Sequence, residues 1–336
     1  GRSKLLLYIR KQTSYLRYLA YVLTVFFGTS LSFVGAANAD ARCNDVASGG
    51  SLTTFPSGDI TFCVRTFSFN STFVWNGANG TNATVLIIGG GGGGGLGGGG
   101  AGAFIEGLIT VNQGSYPITV GAGGTGGGRE VGTFDGGLPG ANSTAFGFTA
   151  GGGGGGGGNG LQGDNCTTTS SGPFGARVSG CGGGGAGTAQ QFITNSNGGT
   201  PSGQPGGSHP GSGNYAGGGG GSGGPGTNGG TSGGGGGAGQ ISGITGANVV
   251  YAYGGSGLNA TAMSNTPGSG GDGGTGSPGR ENGANGIIIV RYELDTTAPA
   301  ISSAILNAAN DELTVTFAED VYNTNSGSGD LGVSDF

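Results

Sequence analysis

Residues 85–105 read VLIIGGGGGGGLGGGGAGAFI, an apolar run feeding straight into glycine and emerging into apolar sequence again. The stretch opens a tract, Gly89–Gly286, in which 80 of 198 residues are glycine. Its longest runs are Gly89–Gly95, Gly151–Gly158, Gly217–Gly221 and Gly233–Gly237. Composition alone points to flexible coil, because such a segment buries no side chains against the entropy of ordering. Each glycine also loses roughly 0.5–1 kcal/mol more than alanine when it is fixed. Whether the tract folds therefore decides what kind of molecule this is.

Three features argue that it folds. Val85–Ile88 enters the tract and Ile287–Val290 leaves it, and both runs have the β-branched and aliphatic make-up of buried strands. A glycine run, an Ala-Gly step and an apolar segment recur three times: Gly97–Gly100 before Ala101-Gly102, Gly182–Gly185 before Ala186-Gly187, and Gly233–Gly237 before Ala238-Gly239. Recurrence of this kind suggests stacked units. Apolar strands also run into glycine around Phe146–Thr149 and Val249–Tyr253. The expected fold is mainly β and irregular: a small antiparallel sheet joined to a packed bundle of polyglycine II-like helices. Such helices have three residues per turn and pack closely because no Cβ intervenes. Collagen is excluded, since its strict period appears only as an echo at Gly270, Gly273, Gly276 and Gly279. Alternation and turn signals place strands near 60–69, 72–76, 84–88, 103–112, 116–120 and 286–292.

Val85-Leu-Ile-Ile-Gly89, Gly97–Phe104, Tyr116-Pro-Ile-Thr-Val-Gly-Ala-Gly-Gly124 and Gly286-Ile-Ile-Ile-Val-Arg-Tyr292, together with the glycine blocks, resemble the bacterial and phage glycine-rich domain. The resemblance covers roughly Phe55–Tyr292. It implies a polyglycine core with variable loops that meet a partner, as in phage adhesin tips and secreted bacterial surface proteins. No individual binding residue carries over.

Ahead of the tract, Arg2, Lys4, Arg10, Lys11 and Arg17 precede an apolar stretch, Leu19–Val34, and then Ala37-Asn38-Ala39 before Asp40. The pattern reads as a helical signal peptide over residues 1–39 and places the chain outside the cell, at the cell surface. A membrane anchor is the rival, but the apolar stretch is short for a span. Beyond residue 39 there are 6 basic and 17 acidic residues, a net charge of −11. This excludes the basic footprint that nucleic acid requires.

All four cysteines, Cys43, Cys63, Cys166 and Cys181, follow that boundary. An even count in an exported chain reads as two disulfides. Of three connectivities, Cys43–Cys63 with Cys166–Cys181 closes the shortest loops. A zinc site would need Cys-x-x-Cys spacing, and the lone His209 is remote. No metal site, cofactor or catalytic constellation can be assembled, and Gly-x-Gly-x-x-Gly carries no information in this background. Trp75 reads as core with a sugar platform as the alternative. Six Asn-x-Ser/Thr sites, at Asn70, Asn79, Asn82, Asn142, Asn165 and Asn259, would accept glycans in a eukaryote; in a bacterium they are polar loops.

After Tyr292 the composition becomes ordinary. Thr297-Ala298-Pro299 and Leu313-Thr-Val-Thr-Phe-Ala-Glu-Asp-Val321 resemble the opening of bacterial Ig-like surface-protein repeats, which implies a truncated β-sandwich. The organisation expected is a signal peptide (1–39), a glycine-rich domain (40–294) and a partial Ig-like domain (295–336). The function expected is that of a non-enzymatic adhesion or surface-binding module. Its partner is an extracellular glycan or protein met by loops such as Asp164–Val178 and Thr188–Pro210. The alternatives are a self-associating matrix or coat component and an ice-binding protein.

Overall fold

A computed structural model describes residues 4–8, 39–57, 60–127, 129–130, 133–134, 136–158, 177–179, 204, 206–208, 215–258, 260–262, 265–274, 281–295, 301–308 and 312–317. The elements in chain order are β1 (Lys4–Tyr8), α1 (Ala39–Val46), β2 (Ala47–Ser48), β3 (Ser51–Ser57), β4 (Ile60–Phe67), β5 (Ser71–Trp75), β6 (Thr81–Ile88), β7 (Phe104–Val111) and β8 (Gly114–Ile118). They continue with β9 (Arg129–Glu130), β10 (Thr133–Phe134), β11 (Ser143–Ala145), β12 (Phe148–Ala150), β13 (Arg177–Ser179), β14 (Gln240–Ser242), β15 (Val249–Tyr251), β16 (Ile287–Asp295), β17 (Ile301–Leu306) and β18 (Glu312–Phe317).

The central element is a six-stranded antiparallel sheet in the order β13-β7-β6-β16-β4-β3. The two runs that bracket the glycine tract pair with each other, Ile287 opposite Ile88 through Val290 opposite Val85. Both runs are apolar at every position because both faces of the sheet are covered there. On one face Val85, Ile87, Ile288, Val290 and Tyr292 pack with Phe73, Trp75 and Cys43 of α1 and the three-stranded sheet β2-β5-β8. On the other, Leu86, Ile88, Phe104 and Ile289 pack with Ile244 and with Tyr251 of the β14–β15 hairpin. The strands expected from the sequence are present but divide between these two sheets.

Glycine segments leave the sheet end as extended continuations of its strands. Gly89–Gly95, prolonging β6, bonds to no carbonyl of its own run. Its N–H groups take three neighbours in rotation: Gly89 and Gly92 donate to Ala103 and Gly100, Gly90 and Gly93 to Ala141 and Leu138, Gly91 and Gly94 to Ala284 and Glu281. Its carbonyls accept from three more, Gly153 and Gly156, Gly124 and Gly127, Gly271 and Gly274. The segment is thus bonded to six surrounding ones. Glycine is required by that density: a Cβ built on Gly91, Gly94 or Gly99 would fall on the carbonyl of Ser269, Asp272 or Gly92, far inside the 3.0 Å that real Cβ atoms respect. At the far end Leu96 turns the chain and forms a small apolar cluster with Ala216 and Leu258. At the rim, side chains replace the missing backbone acceptors, with Asn285 and Asn282 Oδ1 taking the N–H groups of Gly123 (2.9 Å) and Gly126 (2.8 Å).

These observations correct the expected fold class. The regular secondary structure of the described residues is almost entirely β-strand in several small antiparallel sheets, with α1 their one α-helix, so a bundle of polyglycine II-like helices is not the organising unit. The physical reason lies in the flanks: β-branched runs pair in register and set where each glycine segment starts and which neighbours it meets. A signal helix is absent from the described residues as well. Lys4–Tyr8 is a strand whose Leu5 and Leu7 pair with Val315 and Leu313 of β18, and residues 9–38 lie outside the described set. At the C-terminal end β17 and β18 form a hairpin joined by β1 into one three-stranded sheet, and no second sheet of a sandwich faces it among the described residues.

The close approach makes a test by substitution. Gly94→Ala is expected to cost about 3 kcal/mol or more, because backbone must move. Gly230→Ala, where an added Cβ meets nothing within 4 Å, is expected to stay within about 0.5 kcal/mol of the parent. Urea-unfolding midpoints of the two variants check this, and equal midpoints would contradict the packing.

Candidate functional site

Two clusters of polar or aromatic side chains stand out from the sheet packing. The first joins α1 to the central sheet. The carbonyls at a helix C-terminus lack intrahelical partners and carry partial negative charge. Here Cys43 O accepts from Arg65 Nη2 (3.3 Å) and from the Tyr292 hydroxyl (2.9 Å), Ala47 O accepts from Arg65 Nη2, and Val46 O accepts from the backbone N–H of Asn76 (2.8 Å). Asn44 Oδ1 takes a further bond from Arg65 Nη2 at 2.6 Å. Arg65 is 3% exposed and its Nε has no partner among the described residues. A disulfide joins Cys43 to Cys63 two residues before Arg65 on β4, confirming that pairing. Cys166 and Cys181 lie outside the described residues, as do His209, most of Asp164–Val178 and most of Thr188–Pro210.

The second cluster is a cavity of about 560 Å³ between β7, β8 and the β11–β12 hairpin. Ile109 and Thr110 supply one side, Tyr116 and Pro117 a second, and the hairpin residues Thr144 to Thr149 the third. The hairpin turns through Phe146 and Gly147, both at positive φ (52° and 81°). Two-residue hairpin loops favour this geometry, and glycine or asparagine normally supplies it. Phe146 holds it at a cost, with its ring centroid 5.0 Å from Tyr116 and 5.7 Å from Phe73. The Tyr116 hydroxyl donates to Asn112 O (2.8 Å) and accepts from Asn112 N–H (3.1 Å), which fixes that ring. Thr119, just past β8, bridges to Thr144, and Thr144 pairs with Thr149, placing three threonines in one row with β11 and β12. None of the cavity's lining side chains bears a charge.

Other residues singled out in the sequence take structural places. Trp75 is buried, donates Nε1–H to Ala78 O (3.0 Å) and packs edge-on against Tyr292. Asn70, Asn79 and Asn142 accept backbone bonds through Oδ1 from Val120, Gln113 and Gly152. Among the described residues no group of three or more His, Cys, Asp or Glu could hold a metal ion. Sequence reading missed the Arg65–Tyr292 latch and the cavity. The one visible signal was Phe146 standing before Gly147 where a turn asks for Asn or Gly.

A family model for a glycine-rich domain matches residues 67–293, more than half the chain. The chain belongs to the glycine-rich domain family. No curated protein matches it. In this glycine-rich domain the matched span runs from Phe67, at the end of β4, to Glu293 in β16, and so takes in the cavity and the glycine segments together.

Two buried phenols are expected to make the domain sensitive to alkali. Burial raises the Tyr251 phenol above its ordinary 10.0, with the Glu106 carboxylate adding to the effect. Burial also raises Tyr292, partly offset by Arg65. The folded chain thus keeps protons that the unfolded chain releases near pH 10.0. Stability is level below that value and falls as pH rises toward the folded-state values. Urea midpoints measured from about pH 9 upward are expected to decline, and Tyr251→Phe to flatten the decline. The disulfide closes a loop with a sequence separation of 20. Replacing both Cys43 and Cys63 by Ala is expected to cost about 3 kcal/mol in calorimetric unfolding. An unchanged transition would remove the disulfide from the account of stability.

Proposed function

We propose that the chain is a non-enzymatic, exported surface protein in which the glycine segments form a stiff scaffold for a binding site. The observation that carries this reading is the uncharged aromatic cavity beside the glycine segments, whose lining offers no carboxylate, histidine or cysteine for acid–base or nucleophilic work. A preformed, largely apolar concavity with a few polar groups suits ligand binding. The buried Cys43–Cys63 disulfide is compatible with an oxidising, extracellular setting. The excess of acidic over basic residues disfavours nucleic acid as the partner. Bacterial origin, adhesion and a downstream Ig-like stalk belong to the same proposal, as do contacts made by the loops around Asp164–Val178 and Thr188–Pro210.

Beads coated with the oxidised chain are expected to adhere saturably to intact cells, and beads coated with reduced, alkylated chain to adhere far less. Sedimentation velocity separates the alternative. Concentration-dependent assembly without adhesion would replace the binding module with a self-associating coat component.

A further inference from the structure

Phe146 occupies a backbone conformation that costs a bulky L-residue about 1 kcal/mol or more, and that glycine would adopt freely. Strain of this kind persists where the side chain is needed. Phe146 is only partly buried, so core packing accounts for part of its ring and leaves the rest at the cavity wall. Thr144 and Thr149, paired across the β11–β12 hairpin, line the same cavity.

We propose that this cavity binds a neutral saccharide, with a pyranose ring lying against Phe146 and Tyr116 and its hydroxyls bonded to Thr144 and Thr149. The proposal rests on the binding-module reading above and names the ligand class of its site. Three properties select that class. The lining carries no charge, so an anion or cation entering it would lose its hydration without gaining a counter-charge. Aromatic faces present negative quadrupole density, which complements the polarised C–H face of a sugar. Threonine hydroxyls both donate and accept, matching ligand hydroxyls that do the same. The site is also prepared before the ligand arrives: Tyr116 is fixed through both bonds to Asn112, and the Phe146 ring is packed against Tyr116 and Phe73, so little freedom is lost on binding. The volume of about 560 Å³ falls among small-molecule sites and accommodates a short oligosaccharide rather than one ring alone.

The test is isothermal titration of the full, oxidised chain with maltotriose, cellotriose, tri-N-acetylchitotriose and a galactose disaccharide, each to about 20 mM, beside a proline-rich decapeptide. At least one saccharide is expected to bind with Kd between about 10 μM and 10 mM. Tyr116→Ala is expected to weaken that binding about tenfold or more, and Phe146→Gly to abolish it while leaving the thermal transition cooperative, since glycine relieves the turn. Thr149→Val, which preserves shape and removes one hydroxyl, keeps the test sharp should a ring variant fail to fold; its expected loss is about threefold to tenfold. Absence of heat with every saccharide overturns the proposal. So does unchanged affinity in Phe146→Gly and Thr149→Val, and so does binding of the peptide alone, which would assign the groove to a protein partner. Saturable cell adhesion that survives these substitutions and excess sugar would sink the saccharide site and leave the surface-binding reading standing. Loss of adhesion by the parent chain would fell the reading itself.

Discussion

Absence of Cβ atoms at the glycine positions is the constraint on which everything else depends. Six segments can surround Gly89–Gly95 only because the carbonyls of its neighbours occupy the space side chains would take. Each inter-segment bond contributes about 1 kcal/mol net, and each ordered glycine costs nearly as much relative to alanine. Stability therefore cannot come from the glycines alone. It has to be supplied by the sheet, whose apolar rungs from Val85 to Ile88 and from Ile287 to Val290 anchor the segments and hold them at bonding distance. Scaffold and sheet are continuous: the sheet contributes hydrophobic burial and the glycine segments extend its strands.

Around the sheet, polar groups are spent on closing ends. Arg65 and Tyr292 satisfy the C-terminal carbonyls of a two-turn helix that could not persist alone, and the Cys43–Cys63 disulfide holds that helix to β4. Ser143 ties the glycine segments to the sheet, accepting from Gly121 N–H and donating to Ile88 O. Asn282 and Asn285 end the hydrogen-bond pattern where, among the described residues, no further segment follows. A small number of non-glycine residues inside the tract thus decides where the pattern stops.

The candidate cavity was poorly legible beforehand for a definite reason. Its walls come from β7, β8 and the β11–β12 hairpin, brought together by pairings such as Thr119 with Thr144 that no local pattern announces. The hairpin was readable as an apolar stretch at Phe146–Thr149, but its two-residue turn places Phe146 at positive φ, against residue preference. Arg65 escaped notice for a similar reason. An arginine inside an alternating strand reads as solvent-facing, and only the arrival of the helix end over that face makes burial affordable. Cys43–Cys63, by contrast, was legible because short sequence separation favours closure.

What the sequence by itself determined is the approximate placement of six of the strands, from β4 to β8 and β16, that disulfide and the membership of a glycine-rich family, because apolar runs, cysteine spacing and composition are local properties. It also determined that the glycines would be packed, since runs with the make-up of Val85–Ile88 and Ile287–Val290 demand buried partners. The tertiary structure alone decided how. Pairing of those runs with each other, across about two hundred intervening residues, makes antiparallel sheets the frame and glycine segments their extensions. The reason is that glycine has no side chain with which to specify a neighbour. Partner choice within the tract is imposed by the strands at its ends and by the few residues, such as Leu96 and the rim asparagines, that interrupt it.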